Sequence, residues 1–265
     1  MTLHVTRTGQ GPRLVLLHGW ALNSHVWDGV LPVLAGQFTL ECVDLPGHGA
    51  SDWIPGIANL DSLAAAIAPT LGERCHLLGW SLGALVALRL AATHAARIEK
   101  LVLVAGTPKF IADEGWPHAM QPAALEHFAQ RLQQDFRATV QDFLALQVRG
   151  DERALEALRT LRQRVAAVDE PDQRALCVGL EILRDADLRA TLPAVRVPAL
   201  VIAGERDALV PAAASEYLAT QLHAARFHPI PRAAHAPFLS HADEFCTAVS
   251  AFLAGTGRSA AERVS

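Results

Sequence analysis

The pentapeptide Gly79-Trp80-Ser81-Leu82-Gly83 sets a serine between two glycines, at the point where an apolar segment gives way to a helical pattern. It matches the pattern Gly-x-Ser-x-Gly. At a sharp turn from strand to helix, the glycines leave out Cβ atoms that would clash, so the serine can hold its hydroxyl at the end of the strand. A hydroxyl held there can attack a carbonyl carbon. We therefore predict that Ser81 is a nucleophile.

A serine hydroxyl needs a base beside it at neutral pH, which points to a histidine late in the chain. Among the twelve histidines, His235 lies on a loop after the last predicted strand and before the last predicted helix. Its neighbours Ala233, Ala234 and Ala236 are small and leave room for an imidazole to turn. We predict that His235 is the general base.

A carboxylate must then hold the imidazole in one tautomer, and the chain order expected with this motif is serine, acid, histidine. Asp207 follows the apolar segment 198–204, at the carboxyl end of a predicted strand, where sites collect in open α/β sheets. We predict that Asp207 is this acid. Glu205 and Asp187 are the alternatives.

His18-Gly19-Trp20 ends the first long apolar segment. A backbone amide at such a strand end can face the reacting carbonyl, and its fixed dipole needs no reorganisation to meet the charge that forms on oxygen. We predict that the amides of Trp20 and Leu82 form an oxyanion hole. The His18 ring is expected to stabilise the turn by hydrogen bonding.

Short apolar segments bounded by turn residues have the pattern of strands buried on both faces. They span 13–17, 38–44, 74–79, 100–106 and 198–204, with a further short strand at 225–230. Helical patterns fall at 24–35, 60–71, 82–95, 212–222 and 241–253, with Asn59 and Ser240 as predicted N-caps for the second and the last. This alternation predicts an α/β fold with a mostly parallel, doubly wound sheet.

The alternation breaks between about 108 and 192, where the sequence has the pattern of amphipathic helices, for example over 123–146 and 152–168. We predict one domain over 1–265 with a helical cap inserted at about 108–192.

Composition excludes several classes of function. Hydrophobic residues make up 51% of the 265 residues and charged residues 19%, as in a globular protein. A net charge of -4 provides no basic field for nucleic acid. The four cysteines form no Cys-x-x-Cys pair, and no apolar run is long enough to span a membrane or to serve as a signal peptide. We expect a cytoplasmic monomer without a membrane partner.

Two other patterns lack the residues that their chemistry would need. The segment 44–51 contains Gly47 and Gly49 but no third glycine at position 52, so it is predicted to be a structural turn and not a nucleotide site. The late histidines do not have the spacing of a zinc motif. No metal and no cofactor is expected.

Six segments together resemble the pimeloyl-[acyl-carrier protein] methyl ester esterases, which belong to the α/β-hydrolase superfamily and act in biotin synthesis. The segments are LLHGW, VDLPGHGAS, GWSLGALVA, FLALQ, GLEILRDADLR and AAHAPFLSHADEF. The resemblance spans nearly the whole chain, and FLALQ and the tryptophan before Ser81 are its more particular features. It implies hydrolysis of the methyl ester of a carrier-bound pimeloyl chain, with release of methanol.

The resemblance also implies a set of residues that line the substrate site. They are Trp20, Ser81, Leu82, His235 and the stretch Phe143, Leu144, Ala145, Leu146 and Gln147. Periodicity alone would assign the last five only to an apolar helix face, although an apolar wall suits a seven-carbon acyl chain.

The resemblance also implies that the substrate is bound to an acidic acyl-carrier protein, which would dock on arginines of the cap. The family pattern has arginines on the cap just before FLALQ, and this chain has Ala138 and Asp142 at two such positions. Other arginines that could supply the charge are Arg137, Arg149, Arg153, Arg159, Arg162 and Arg164. A general short-chain carboxylesterase and a binding module on a hydrolase scaffold remain alternative functions.

Overall fold

A seven-stranded sheet organises the chain in the computed structural model, which describes residues 3–166 and 170–255. The strands are β1 (Val5–Gly9), β2 (Arg13–Leu17), β3 (Thr39–Val43), β4 (Cys75–Trp80), β5 (Ile98–Val104), β6 (Ala199–Gly204) and β7 (Ala225–Ile230). Their spatial order is β1-β3-β2-β4-β5-β6-β7, and every neighbouring pair is parallel except β1 with β3. The predicted mostly parallel sheet is confirmed.

The central strands are buried along nearly their whole length, which is why their sequences are continuous apolar runs. Strand β1 was not predicted. All five of its residues are exposed, and it forms the antiparallel edge of the sheet, so its sequence VTRTG carries no apolar signal.

Ten α-helices are assigned within the described residues. They are α1 (Leu31–Leu34), α2 (Leu60–Ile67), α3 (Leu82–Thr93), α4 (Pro122–Gln134), α5 (Phe136–Gln147), α6 (Ala154–Ala166), α7 (Gln173–Asp185), α8 (Ala212–Gln221), α9 (Pro237–Ser240) and α10 (Ala242–Ala254). The predicted cap of α2 is confirmed, because the Asn59 side chain accepts from the Ser62 amide at 2.9 Å.

Two helices predicted before the nucleophile are shorter than expected. The pattern over 24–35 forms a 3-10 turn at Ser24–Trp27 and only the single turn α1, which has Pro32 in its first turn. Helix α2 ends at Ile67, and residues 68–71, which include Pro69, continue as a 3-10 turn. Proline lacks the N–H that a continuing helix would need, so it limits both segments.

The segment between β5 and β6 contains α4 to α7, which we call the cap helices. The single helix predicted over 123–146 is wrong. Asp135 has a non-helical backbone and its side chain accepts from the Ala138 amide at 3.0 Å, so it ends α4 and caps α5. The helix predicted over 152–168 corresponds to α6, and positions 167–168 of that prediction lie outside the described residues.

The predicted cap of the last helix is also wrong. His241, not Ser240, is the N-cap residue of α10, and its side chain makes no capping bond. The Ser240 hydroxyl donates instead to Asp151, at 2.6 Å. None of the helices in the described ranges is both long and apolar enough to cross a membrane.

Candidate active site

Ser81 stands in a strained turn between β4 and α3. Its φ of 56° lies in the left-handed region, which is costly for any residue with a side chain. The two glycines allow this turn: a Cβ on Gly79 would lie 2.2 Å from the Gly83 carbonyl oxygen, and one on Gly83 would lie 2.5 Å from the carbonyl oxygens of Leu17 and His18. The steric task predicted for these glycines is confirmed.

The structure brings His235 and Asp207 together. Nδ1 of His235 lies 2.7 Å from Oδ2 of Asp207, and both side chains are fully buried. The other carboxylate oxygen accepts from the amides of Leu209 and Val210, at 2.8 and 2.9 Å. Because a carboxylate only accepts, Nδ1 carries the proton of this bond, which leaves Nε2 as the nitrogen that can accept a proton. Nε2 is buried and has no hydrogen-bond partner among the described residues.

The two alternative acids lie in other surroundings. Glu205 is exposed at the end of β6. Asp187 is exposed as well and pairs with Arg189 at 2.6 Å, and this hydrogen bond lowers the pKa of Asp187 to about 2. Asp207 is therefore the acid that the geometry favours.

Trp80 connects the nucleophile turn, residues 79–83, to the histidine loop, which comprises residues 231–236 between β7 and α9. Its indole N–H donates to the carbonyl oxygen of His235 at 2.8 Å, and the two rings lie 5.7 Å apart. The Trp80 and Phe238 rings also pack edge to face, 4.8 Å apart, and Phe238 follows His235 by three residues. The residue next to Ser81 thus fixes the backbone that carries the imidazole.

Two buried amides near the turn are free to serve as oxyanion donors. Within the part of the chain that the structure describes, the backbone N–H groups of Trp20 and Leu82 donate no hydrogen bond. The His18 ring holds the turn before Trp20, as predicted: its Nε2 accepts from the Leu45 amide at 2.9 Å, and its Nδ1 donates to the Gly19 carbonyl at 2.8 Å. Burial lowers the pKa of His18, which keeps the ring neutral for these two bonds.

The segment 44–51, predicted to be a turn, folds around Asp44. The Asp44 carboxylate accepts from the amides of Ser24 and Ala50, at 2.7 and 3.0 Å. Gly49 has a φ of 54°, and a Cβ there would lie 2.4 Å from that carboxylate. This segment is structural and supports the neighbouring His18 turn.

The cap helices cover Trp20. The Phe143 ring meets the Trp20 ring edge-on at 4.8 Å, and Phe128 contacts it at 6.1 Å. The Trp20 indole N–H donates to the Leu176 carbonyl of α7 at 2.9 Å. A Cβ on Gly179 would lie 2.5 Å from the Trp20 ring, so this glycine permits the contact.

The other end of the stretch 143–147 reaches the histidine loop. The carbonyl oxygen of Gln147 accepts from the His235 amide at 3.1 Å. The Gln147 side-chain amide is buried and has no hydrogen-bond partner in the described ranges. Leu144 is fully buried, whereas Ala145 and Leu146 are half-buried. One face of α5 therefore contacts two parts of the candidate site: Phe143 contacts Trp20, and Gln147 contacts His235.

Sequence reasoning missed two residues that shape this site. Gly179 interrupts an otherwise helical pattern, and such an isolated glycine is a recognisable sign of close packing. Asp151 is buried, and its carboxylate accepts from the Ala234 amide at 3.0 Å. Nothing in the sequence around Asp151 distinguishes it from a solvated turn residue.

The arginines considered for carrier docking differ in their surroundings. Arg137 pairs with Glu170 at 2.7 Å, and Arg164 donates to the Val26 carbonyl. Asp142, which departs from the family pattern, pairs with Arg131 at 2.6 Å. The exposed arginines that make no ion pair among residues 3–166 and 170–255 include Arg149, Arg159 and Arg162.

Comparisons with known proteins agree with the fold. A model described as Alpha/beta hydrolase family matches residues 14–248. A curated relative from Stenotrophomonas maltophilia (strain R551-3), named pimeloyl-[acyl-carrier protein] methyl ester esterase, is 45% identical over 259 residues, 96% of this chain and 97% of that protein. A relative of the same name from Nitrosomonas europaea is 42% identical and covers 94% of this chain and 99% of that protein.

Solved structures show the same architecture. The enol-lactonase from Burkholderia xenovorans LB400 aligns with a TM-score of 0.83 and 26% identity, over 96% of each chain. The chain therefore belongs to the α/β hydrolase family and, within it, to the family of pimeloyl-[acyl-carrier protein] methyl ester esterases. The predicted family is confirmed.

Proposed function

We propose that the chain is a serine carboxylesterase that hydrolyses the methyl ester of pimeloyl-[acyl-carrier protein], releasing methanol and leaving pimeloyl on its carrier. As a member of this family the chain is a carboxylic ester hydrolase. One observation carries the mechanism. The buried imidazole of His235 is bonded to Asp207 through Nδ1, its Nε2 has no hydrogen-bond partner among the described residues, and Trp80 ties its loop to the nucleophile turn.

In the first half of the proposed reaction, Nε2 of His235 takes the proton of the Ser81 hydroxyl while Oγ attacks the ester carbonyl. The negative charge that forms on the carbonyl oxygen is met by the amides of Trp20 and Leu82, which have no other acceptor in the described structure. Asp207 holds the ring in the productive tautomer and stabilises the imidazolium.

The tetrahedral intermediate then collapses. The carbon–oxygen bond to the methoxy group breaks, and the imidazolium gives its proton to the departing oxygen, so methanol leaves and an acyl-serine remains. A water molecule, deprotonated by the same imidazole, attacks the acyl-serine. The bond between the acyl carbon and Ser81 Oγ then breaks, and the imidazolium returns its proton to Oγ. The products are a free carboxylate and the regenerated hydroxyl of Ser81.

The acyl chain is proposed to lie along the stretch from Phe143 to Gln147. Phe143 and Trp20 offer an apolar wall, and each buried methylene contributes about 0.8 kcal/mol. The buried Gln147 amide, without a partner among the described residues, supplies a polar group at the end of this wall.

The segment 108–192 is proposed to act as a cap on a single domain, and the carrier protein to remain outside it. Ser81 is only 9% exposed, so a folded carrier cannot reach it. The carrier end of the substrate is then kept away from the nucleophile. The methyl ester is cleaved and the thioester is not, because only the methyl ester lies next to Ser81. A misplacement of about 1 Å can cost roughly a hundredfold in rate.

Mass spectrometry of the product tests this proposal. With methyl pimeloyl-carrier protein as substrate, we expect the carrier to lose the mass of one methylene group as the methyl ester becomes an acid, and to retain the pimeloyl chain. Release of monomethyl pimelate with bare carrier would contradict the proposed orientation. Equal specificity for a short free methyl ester and the carrier-linked ester would favour a general short-chain carboxylesterase.

A further inference from the structure

The turn that joins α5 to α6 runs alongside the loop that carries His235. Three hydrogen bonds connect them: the His235 amide donates to the Gln147 carbonyl at 3.1 Å, the Ala234 amide to Asp151 Oδ2 at 3.0 Å, and the Glu152 amide to the Arg232 carbonyl at 3.2 Å. In addition to the bond from Trp80, these bonds from the cap segment hold the histidine loop in place through backbone groups next to the imidazole.

Asp151 is the only side chain in these three bonds. It is 8% exposed, and its Oδ2 also accepts from the Ser240 hydroxyl at 2.6 Å. Its Oδ1 accepts from the Arg153 amide at 2.8 Å. A buried carboxylate bound by neutral donors makes strong, charge-assisted hydrogen bonds, and their geometry is restricted by the burial.

The two partners of Oδ2 come before and after His235 in the sequence. Ala234 directly precedes His235, and Ser240 ends the short helix α9 that follows it. The guanidinium of Arg153 adds a bond to the Ser240 carbonyl at 2.8 Å. Asp151 thus fixes both ends of the segment 234–240, while Asp207 holds only the ring.

We propose that Asp151 is a positioning residue for the esterase reaction. It holds the backbone of Ala234 and the hydroxyl of Ser240 so that the His235 ring keeps its bond to Asp207 and directs Nε2 to Ser81. Because Asp151 belongs to the cap segment, the alignment of the imidazole also depends on how this segment packs against the histidine loop. This inference rests on the proposed role of His235 as general base.

The test is Asp151→Asn, assayed with a small methyl ester that needs no carrier. The asparagine is neutral and has only one acceptor oxygen where the carboxylate has two. It therefore cannot satisfy all three donors, and the bonds that it keeps to Ala234 and Ser240 lose their charge assistance. We expect kcat to fall about 10- to 100-fold, as for a misplacement of up to about 1 Å, and KM to change less than about threefold. The low-field proton resonance of the His235 Nδ1–H should broaden or shift upfield.

Matched controls separate positioning from general loss of stability. Asp172→Asn removes another carboxylate that accepts from the amide two residues later, at 2.8 Å, and whose side-chain bonds among the described residues are all to Arg174. Ser240→Ala removes one partner of Asp151, and Ser215→Ala removes a buried hydroxyl that donates to the Gly106 carbonyl at 2.8 Å. We expect kcat to fall at least threefold in Ser240→Ala and to stay within twofold in Asp172→Asn and Ser215→Ala.

A kcat within twofold of the wild type in Asp151→Asn, or a raised KM at constant kcat, would overturn the positioning role. If Asp151→Asn does not fold, the comparison of Ser240→Ala with Ser215→Ala decides, and equal activity of these two overturns the role. His235→Ala is measured beside them. An active His235→Ala would refute the general-base assignment itself, whereas an inactive one with unchanged Asp151→Asn would refute only the role of Asp151.

Discussion

The indole N–H of Trp80 donates a 2.8 Å hydrogen bond to the carbonyl oxygen of His235. The residue before the proposed nucleophile therefore holds the backbone of the proposed base, although 155 positions separate the two in sequence. Strand β4 ends at Trp80, so the bond ties the histidine loop directly to the centre of the sheet.

Trp80→Phe should separate this bond from the packing of the ring. Phenylalanine keeps an aromatic ring against Phe238 but removes the donor, and a bond of this kind contributes about 0.5–1.5 kcal/mol. We expect kcat to fall about three- to tenfold in steady-state ester kinetics. Trp27→Phe is the control, since the buried Trp27 indole nitrogen has no partner among the described residues. Equal effects of the two substitutions would show that only ring size matters.

Ser81→Ala should lower turnover by about a millionfold while the fold is retained, as for removal of the nucleophile from other triads. Alanine fits the same turn, although its φ of 56° remains strained. Ester kinetics give the loss of activity, and far-UV circular dichroism checks the fold. Activity within tenfold of the wild type would exclude Ser81 as the nucleophile.

Asp207→Asn should lower kcat by about four orders of magnitude, because an amide permits the wrong tautomer of His235. Glu205→Gln is the matched control, two residues away on the same loop and exposed. It should leave kcat within about twofold. A large loss in Glu205→Gln with a small one in Asp207→Asn would transfer the role to Glu205.

Much of this arrangement could be predicted because it depends on local chemistry. The Gly-x-Ser-x-Gly turn, the apolar central strands and the Asn59 cap each need particular residue types at fixed spacing. Strand β1 could not be predicted, since its exposed residues carry no burial pattern. The contacts of Asp151 could not be predicted either, because they join segments more than 80 residues apart.

Two helix ends in and near the cap could not be predicted from the sequence either. The sequence over 123–146 has a continuous amphipathic pattern, yet Asp135 divides it by capping α5 with its own side chain. Ser240 has the residue type of an N-cap but donates to Asp151 instead. In both cases a polar side chain has two possible partners, and tertiary packing decides between them.

The stability of the protein should fall as the pH is lowered below about 6.5, partly because of His48. Burial, followed by the neighbouring His18, lowers the pKa of His48 to about 3. Between these values the unfolded state binds a proton that the folded state does not, so acidification favours unfolding by up to about 1.4 kcal/mol per pH unit for this site.

Urea denaturation followed by tryptophan fluorescence measures this effect at pH 7 and pH 5. His48→Gln removes the titrating group, and its amide can still donate to the Pro46 carbonyl that His48 contacts at 3.1 Å. We expect its free energy of unfolding to lose about 2 kcal/mol less than the wild type over this range. The control is His127→Gln, which removes an exposed histidine of α4. An unchanged pH dependence in His48→Gln would rule out this contribution.

Charge reversal of the exposed cap arginines tests carrier docking. Arg149→Glu, Arg159→Glu and Arg162→Glu together should raise KM for the carrier-linked ester at least tenfold, because an acidic carrier would meet repulsion where it now meets attraction. The effect should be larger at low salt, where exposed charges are least screened, and a small free methyl ester should be unaffected.

The matched control reverses Arg97, Arg196 and Arg226, which are exposed near the amino ends of β5, β6 and β7. This control changes the net charge equally. Its three residues lie at the amino ends of the parallel strands, whereas Ser81 lies at the carboxyl end of β4, so its KM for the carrier-linked ester should stay within about twofold. Equal increases in KM for both triple variants would mean that the carrier responds to net charge alone and would refute docking on the cap.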